Sequence, residues 1–450
     1  MSSRHSMDLT EGSVFRQLLI FVFPLILTNL LQQFYSAADV IVVGKFAGSA
    51  ALAAVGSTGS ITTLLLNLFN GLAVAANVIC ANLYGARKRQ ELSNCMHTSI
   101  LLALAGGLGL MGIGVTFAKP LLTMMNSPEN VIDLAALYMR IYFCGVPASL
   151  VYNFGAGILR AHGDTKRPMY ILSATGVVNV LLNLVFVIPL KMSVAGVALA
   201  TVIAQILSAI AVLVILFSPK GEYKLKLKQL RFHGPQLKKL ISIGIPCGFN
   251  GITFSISNVI LQSTVNTFGD IVVAGASAAG SVNSFVYVFL ASFYTGCVSF
   301  AGQNFGAKKY SRIDKLLLCG FACCASLIVM AATLETVFSD FLLGLYTNDL
   351  SVVDAGRPIM EMICWSYAVY TIPEVCTGCL RGMGESTGPT LLNVFCICGL
   401  RILWVFAIFP LNPTIPMLYL CYPISYAVCS VAQYVFYRRC RSRYQEPQTV

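Results

Sequence analysis

Residues 15–45 read FRQLLIFVFPLILTNLLQQFYSAADVIVVGK. A bilayer core is crossed by ~20 apolar helical residues rising ~1.5 Å each, so this stretch is long enough to span. Asp39 is its only acid, and no base lies between Arg16 and Lys45. Pro24 removes a helix hydrogen bond and predicts a bend. A carboxylate on a membrane span costs about 3 kcal/mol or more, so Asp39 reads first as a functional group. The plainer reading is an acid paired with a neighbouring helix.

Composition extends this outward. The chain has 450 residues, 57% hydrophobic and only 11% charged, where soluble domains carry ~25% charged residues. It therefore reads as a polytopic membrane protein with no room for a large soluble domain. Most of the 16 cysteines fall inside apolar runs, among them Cys80, Cys247, Cys323, Cys324, Cys396 and Cys398. There Cys acts as a small buried hydrophobe, and free thiols are expected. The opening MSSRHSMDLTEGS is polar, and no cleaved signal peptide is expected.

Twelve apolar spans are expected, near 15–44, 50–83, 91–118, 130–158, 168–190, 193–217, 237–266, 271–304, 314–337, 352–380, 388–410 and 414–437. With the N-terminus in the cytoplasm, 24 of the 30 Lys and Arg fall on the cytoplasmic side and five at outer positions. Arg401 remains inside a span. This asymmetry predicts cytoplasmic N- and C-termini and an even span count. It also explains the net charge of +12 without nucleic acid.

The chain repeats itself. GILRAHGDTKRP (157–168) returns as GCLRGMGESTGP (378–389), and YGARK (84–88) as FGAKK (305–309), both at a shift of 221. Pro24 returns as Pro246 with one extra residue. Six spans per repeat make the repeats parallel, an architecture of alternating-access transporters. The expected division is an N-lobe at 1–217, a basic cytoplasmic linker at 218–236 and a C-lobe at 237–450. The fold class is all-α membrane protein. The paired loops at 160–168 and 381–389 read as helix-capping turns that anchor headgroups, with Gly163 and Gly384 at positive φ.

The stretches PLILTNLLQQFYSAADVIVVGKFAG, YGARK, LRAHGDTKRP, FGAKK and LRGMGESTGP resemble the multidrug and toxic compound extrusion (MATE) family, on its bacterial side. The resemblance covers about residues 15–437. It implies a twelve-helix, two-lobed antiporter in the plasma membrane. Such a protein exports organic cations and other toxic compounds against inward flow of protons or sodium ions. It also implies an ion site in the first lobe, built from an acid on the first helix and polar residues on the fifth and sixth. Asp39, Asn179, Asn183 and Thr201 match those positions. Asn183 stands where the family often has Asp, which leaves one carboxylate in the set and weakens the case for sodium.

A depth count from the residues themselves agrees with that grouping. Measured from Lys45 and Lys191 at the outer rim, Asp39 lies about 9 Å deep, Asn183 about 12 Å, Thr201 about 15 Å and Asn179 about 18 Å. The plainer reading is that Asn and Thr here join helices. In the second lobe, Glu374 reads as a substrate-attracting or second proton group, or as the partner of Arg401. Pro24 and Pro246 read as helix-bending positions.

Other signals are discounted. GLGLMG (107–112) lies inside a span with no preceding strand, and CTGC (376–379) has no second ligand pair. Glu335, Asp340, Asp349 and Asp354 read as solvated acids of an outer loop. No enzyme activity, cofactor or metal beyond the coupling ion is expected. The expected partners are organic cations and membrane lipid, with the protein a monomer. The alternative readings are a flippase for a lipid-linked saccharide and, less favoured, a membrane-embedded transferase. The first needs bases for a pyrophosphate and the second clustered acids, and the spans lack both.

Overall fold

The computed structural model describes residues 7–124, 129–218 and 224–445. Every regular element among them is helical. The first repeat runs through α1 Val14–Val42, α2 Ser49–Gly85, α3 Arg89–Met124, α4 Glu129–Ala161, α5 Lys166–Val187 and α6 Ser193–Phe217. The second runs through α7 Gly234–Val265, α8 Asp270–Gly306, α9 Tyr310–Val337, the short α10 Ser339–Gly344 and α11 Leu350–Gly382. It ends with the broken span α12 Thr387–Asn393 and α13 Leu400–Leu403, then α14 Ile415–Tyr419 and α15 Cys421–Arg441.

Among the described residues, eleven helices are long and apolar enough to cross a membrane. The twelfth, α11, has 33 residues but carries Asp354, Arg357, Glu361, Glu374 and Arg381, which dilute its apolar character. The expected twelve spans in two six-helix repeats are thus present, and their limits follow the apolar runs closely. Lipid explains this legibility: no backbone group can be left to water inside a bilayer, so each apolar run must close its own hydrogen bonds as a helix.

The repeats turn corners the same way. After α2, the Ala86, Arg87 and Lys88 amides bond to the Asn82, Tyr84 and Leu83 carbonyls at 2.9–3.0 Å. After α8, Ala307, Lys308 and Lys309 do the same to Gln303, Phe305 and Asn304. Arg87 and Lys308 sit at φ 56° and 58°, Gly163 and Gly384 at 82° and 91°, and Gly48 and Gly269 at 89° and 92°. The expected positive φ of the loop glycines is therefore observed. Asp164 accepts the Arg167 amide and caps α5. The headgroup-anchoring role expected of these loops does not extend to Arg381. It is 5% exposed and turns inward, donating to the Tyr294 hydroxyl at 2.5 Å and to Thr390 Oγ1 at 3.2 Å.

By packing, the chain divides into two compact units, one of residues 1–8 and 27–248 and one of 9–26 and 249–450. The cuts fall two residues after Pro24 and two after Pro246. Each repeat thus gives the start of its first helix to the other unit. In unit 1, Gly71 of α2 lies so close to α7 that a Cβ would come 2.2 Å from the Gly248 nitrogen. In unit 2, Gly296 of α8 receives Val22 of α1. The segments before these helices dock accordingly. Arg312 donates to the Leu9, Glu11 and Gly12 carbonyls, while His97 Nε2 accepts the Lys226 amide at 2.9 Å. Gly107, from the discounted GLGLMG stretch, admits Pro147 of α4 at close range, as expected of a small residue between membrane helices. All sixteen cysteines are free thiols.

Candidate functional site

In unit 1, one glycine sets where α1 meets α5. Gly176 has no side chain, and a Cβ there would fall 1.9 Å from the Tyr35 ring. Tyr35 therefore lies across α5 and donates from its hydroxyl to the Ser173 carbonyl at 3.1 Å. Asp39 is four residues on, one turn along the same face. That turn brings it to Asn183, whose Nδ2 donates to Asp39 Oδ1. A second register holds α5 to α6. Ser208 Oγ donates to Thr175 Oγ1 at 2.8 Å, and one turn on along α5, two turns back along α6, Asn179 Nδ2 donates to Thr201 Oγ1 at 3.4 Å. Asn183 Nδ2 also reaches Asn179 Oδ1 at 3.4 Å, and Thr201 donates back to the Val197 carbonyl.

The four residues matched from the sequence thus form one hydrogen-bonded chain, Asp39–Asn183–Asn179–Thr201. Asn183 is fully buried and Asn179 is 6% exposed. One acceptor in the chain is unsatisfied: Asn183 Oδ1 is buried with no partner. A buried acceptor left unpaired costs about 1–3 kcal/mol, which a bound cation or proton donor would relieve. Directly beyond Asp39 the helix widens into a π-helical turn, Val43–Ala47. Such turns are frequent at functional sites.

Unit 2 is built differently. Glu374 is 8% exposed, one turn from Tyr370 and seven residues before Arg381 on α11. Arg401 is not its partner among the described residues. The Arg401 guanidinium carbon lies 3.9 Å from the Tyr422 ring centre and 5.0 Å from that of Tyr426. Its Nε reaches Ser425 Oγ at 3.4 Å, while Nη2 is buried without a partner. Tyr370 and Tyr426 stack at 4.3 Å. Arg401 sits in the single α-turn between two π-helical segments, Val394–Gly399 and Trp404–Ile408. Sequence reasoning missed this aromatic setting. The usable signal was Tyr422 and Tyr426, four apart on one face of the last span.

One acid was misread. Glu335 is not a solvated loop residue: it ends α9 and is 6% exposed. Asp340 and Asp354 are exposed, as expected, and both pair with Arg357. Asp349 caps α11 by accepting the Ser351 amide at 2.9 Å.

Comparison with known proteins places this geometry in a family. The MatE family model matches twice, at residues 24–185 and 246–406, once per repeat. The curated "Probable multidrug resistance protein YoeA" of Bacillus subtilis is 27% identical over 437 residues, covering 95% of this chain and 94% of that protein. "Multidrug export protein MepA" of Staphylococcus aureus is 20% identical over 384 residues, 85% of each. A solved MOP superfamily transporter from Pyrococcus furiosus superposes with a TM-score of 0.92 at 20% identity, over 98% of this chain and 99% of that one. With both repeats matched, over more than half of its length, the chain belongs to the MatE family, the multidrug and toxic compound extrusion transporters.

Proposed function

We propose that the protein exports cationic or amphipathic toxic compounds across the plasma membrane in exchange for protons or sodium ions. The observation that carries this reading is the partly buried Asp39–Asn183–Asn179–Thr201 chain with its unpartnered Asn183 oxygen. The names of the curated relatives support the substrate class.

The single carboxylate in the set balances one monovalent cation. The Asn oxygens and the Thr201 hydroxyl add hard oxygen ligands of the kind a sodium ion takes, and the same oxygens accept from a protonated Asp39. With one carboxylate, proton coupling is the favoured arm. Ion and exported compound need only favour different conformations for exchange to follow. Pro24 and Pro246 lie where their helices pass from one compact unit to the other, which suits bending at those points. The termini lie in the cytoplasm on this reading, and the monomer is the working unit.

The test is ethidium efflux from proteoliposomes under separate pH and sodium gradients. Asp39→Asn abolishes gradient-driven efflux while leaving expression and melting temperature near those of the parent. Full efflux in that variant would overturn the coupling role of Asp39.

A further inference from the structure

A cavity of about 340 Å³ lies within unit 2, lined by Val282, Phe285, Glu335, Leu342, Leu345 and Tyr346. Its volume is in the range of small-molecule sites. Val282 and Phe285 come from α8, Glu335 from the last turn of α9, and Leu342 from α10; Leu345 and Tyr346 follow α10 directly. Val282 is 4% exposed, whereas Leu345 and Tyr346 are 66% and 51% exposed. The cavity therefore has a buried floor and an open rim. Glu335 is its one ionisable carboxyl, among walls that are otherwise aliphatic or aromatic.

The carboxyl lacks what a buried acid ordinarily has. Glu335 Oε2 is buried with no hydrogen-bond partner. The Cys364 thiol of α11 donates to the Glu361 carbonyl at 3.3 Å and so gives Glu335 no strong donor. Arg357, on the same helix as Cys364, is engaged by Asp340 and Asp354. Among the described residues no base pairs with Glu335. Leaving such a group unsatisfied is costly, and the cost is relieved by a ligand that brings a positive N–H donor. A divalent metal does not fit, because one carboxylate among apolar walls offers too few oxygens. An anion does not fit beside an acid.

We infer that this cavity is a binding site for an arylalkyl ammonium ion, its head donating to the Glu335 carboxyl and its apolar body lying between Val282, Phe285, Leu342 and Tyr346. The site lies wholly in unit 2, apart from the Asp39 set. It sits at the end of α9 opposite the basic run Lys308–Lys315. The inference rests on this geometry alone and stands or falls independently of coupling at Asp39.

The test is calorimetric titration of the purified full-length protein in detergent with phenethylammonium, and with neutral 2-phenylethanol as its isostere. Saturable binding of the ammonium at one Glu335-dependent site is expected, with at least tenfold weaker binding of the alcohol. Glu335→Gln should weaken the ammonium at least tenfold, as loss of a charge-assisted hydrogen bond does. Leu342→Trp, which fills the cavity and keeps the acid, should abolish binding, so the conclusion does not hang on how one variant folds. Unchanged affinity in Glu335→Gln, or loss in Asp39→Asn in place of Glu335→Gln, overturns the proposal. Neither result bears on the efflux experiment.

Discussion

The two units share a backbone plan and differ in where they keep charge. Their corner turns match residue for residue, down to the positive φ at Arg87 and Lys308. Yet Asp39 of the first repeat corresponds, on the Pro24–Pro246 register, to the apolar Leu261, which is 6% exposed. Glu374 of the second corresponds to Asn153. In unit 1 a carboxylate is held by short amide and hydroxyl side chains in a linear chain. In unit 2 a guanidinium is held against ring faces. Duplication kept the parts that make a helix stop and turn. The polar interior is where the copies diverged, because a turn tolerates few sequences whereas an interior position serves whichever ion faces it.

The largest effect should come from asking whether the units are interchangeable. On the proposed coupling, moving the acid to its repeat mate, Asp39→Asn with Leu261→Asp, leaves ethidium efflux at least tenfold below the parent. Leu261 has no counterpart of the Asn183–Asn179–Thr201 chain to receive an ion. Efflux restored by the double change would show that position in the repeat, and not the local oxygen set, decides coupling.

A smaller effect separates the two ways of holding a charge. Thr201→Val removes one hydroxyl from a chain of hydrogen bonds and should cost about 1 kcal/mol. Tyr422→Ala removes a ring face from a buried guanidinium and leaves a large void, and should cost about 3 kcal/mol or more. Tyr422→Phe keeps the face and should stay close to the parent. Denaturation of the three variants in one detergent gives the order. Equal losses in Thr201→Val and Tyr422→Ala would mean that Arg401 is held by something other than the rings.

What could be read from the sequence follows from what the solvent enforces. Lipid demands apolar runs, so the spans and the repeat were legible, and so was Asp39, an isolated acid in such a run. Asn179 and Asn183 came from the resemblance to the family, and their four-residue spacing puts them on one face. Glu335 was not legible, because it stands in a stretch shared with Asp340, Asp349 and Asp354, and the short α10 beside it interrupts what reads as a loop. Arg401 was legible as an anomaly but not in its partners. The rings that receive it lie on a later span, and the π-helical segments around it rotate the side chain away from the position that 3.6 residues per turn predicts.

The smallest difference lies in the two loop glycines. Both Gly163 and Gly384 hold a left-handed conformation, which costs a residue with a Cβ roughly 1–2 kcal/mol. For Gly384 that is the whole cost, since among the described residues nothing lies within 4 Å of where its Cβ would stand. At Gly163 a Cβ would meet the Met7 carbonyl oxygen at 2.0 Å, and the Met7 amide already approaches the Gly163 oxygen at 3.4 Å. Gly163→Ala should therefore lower the melting temperature further than Gly384→Ala. Met7 precedes α1 by seven residues, so its removal leaves that helix whole. Deleting residues 1–7 should bring the Gly163→Ala loss down to that of Gly384→Ala. If the gap between the two variants survives the deletion, the asymmetry belongs to the turns themselves, and the corners of the two repeats are less alike than their dihedral angles indicate.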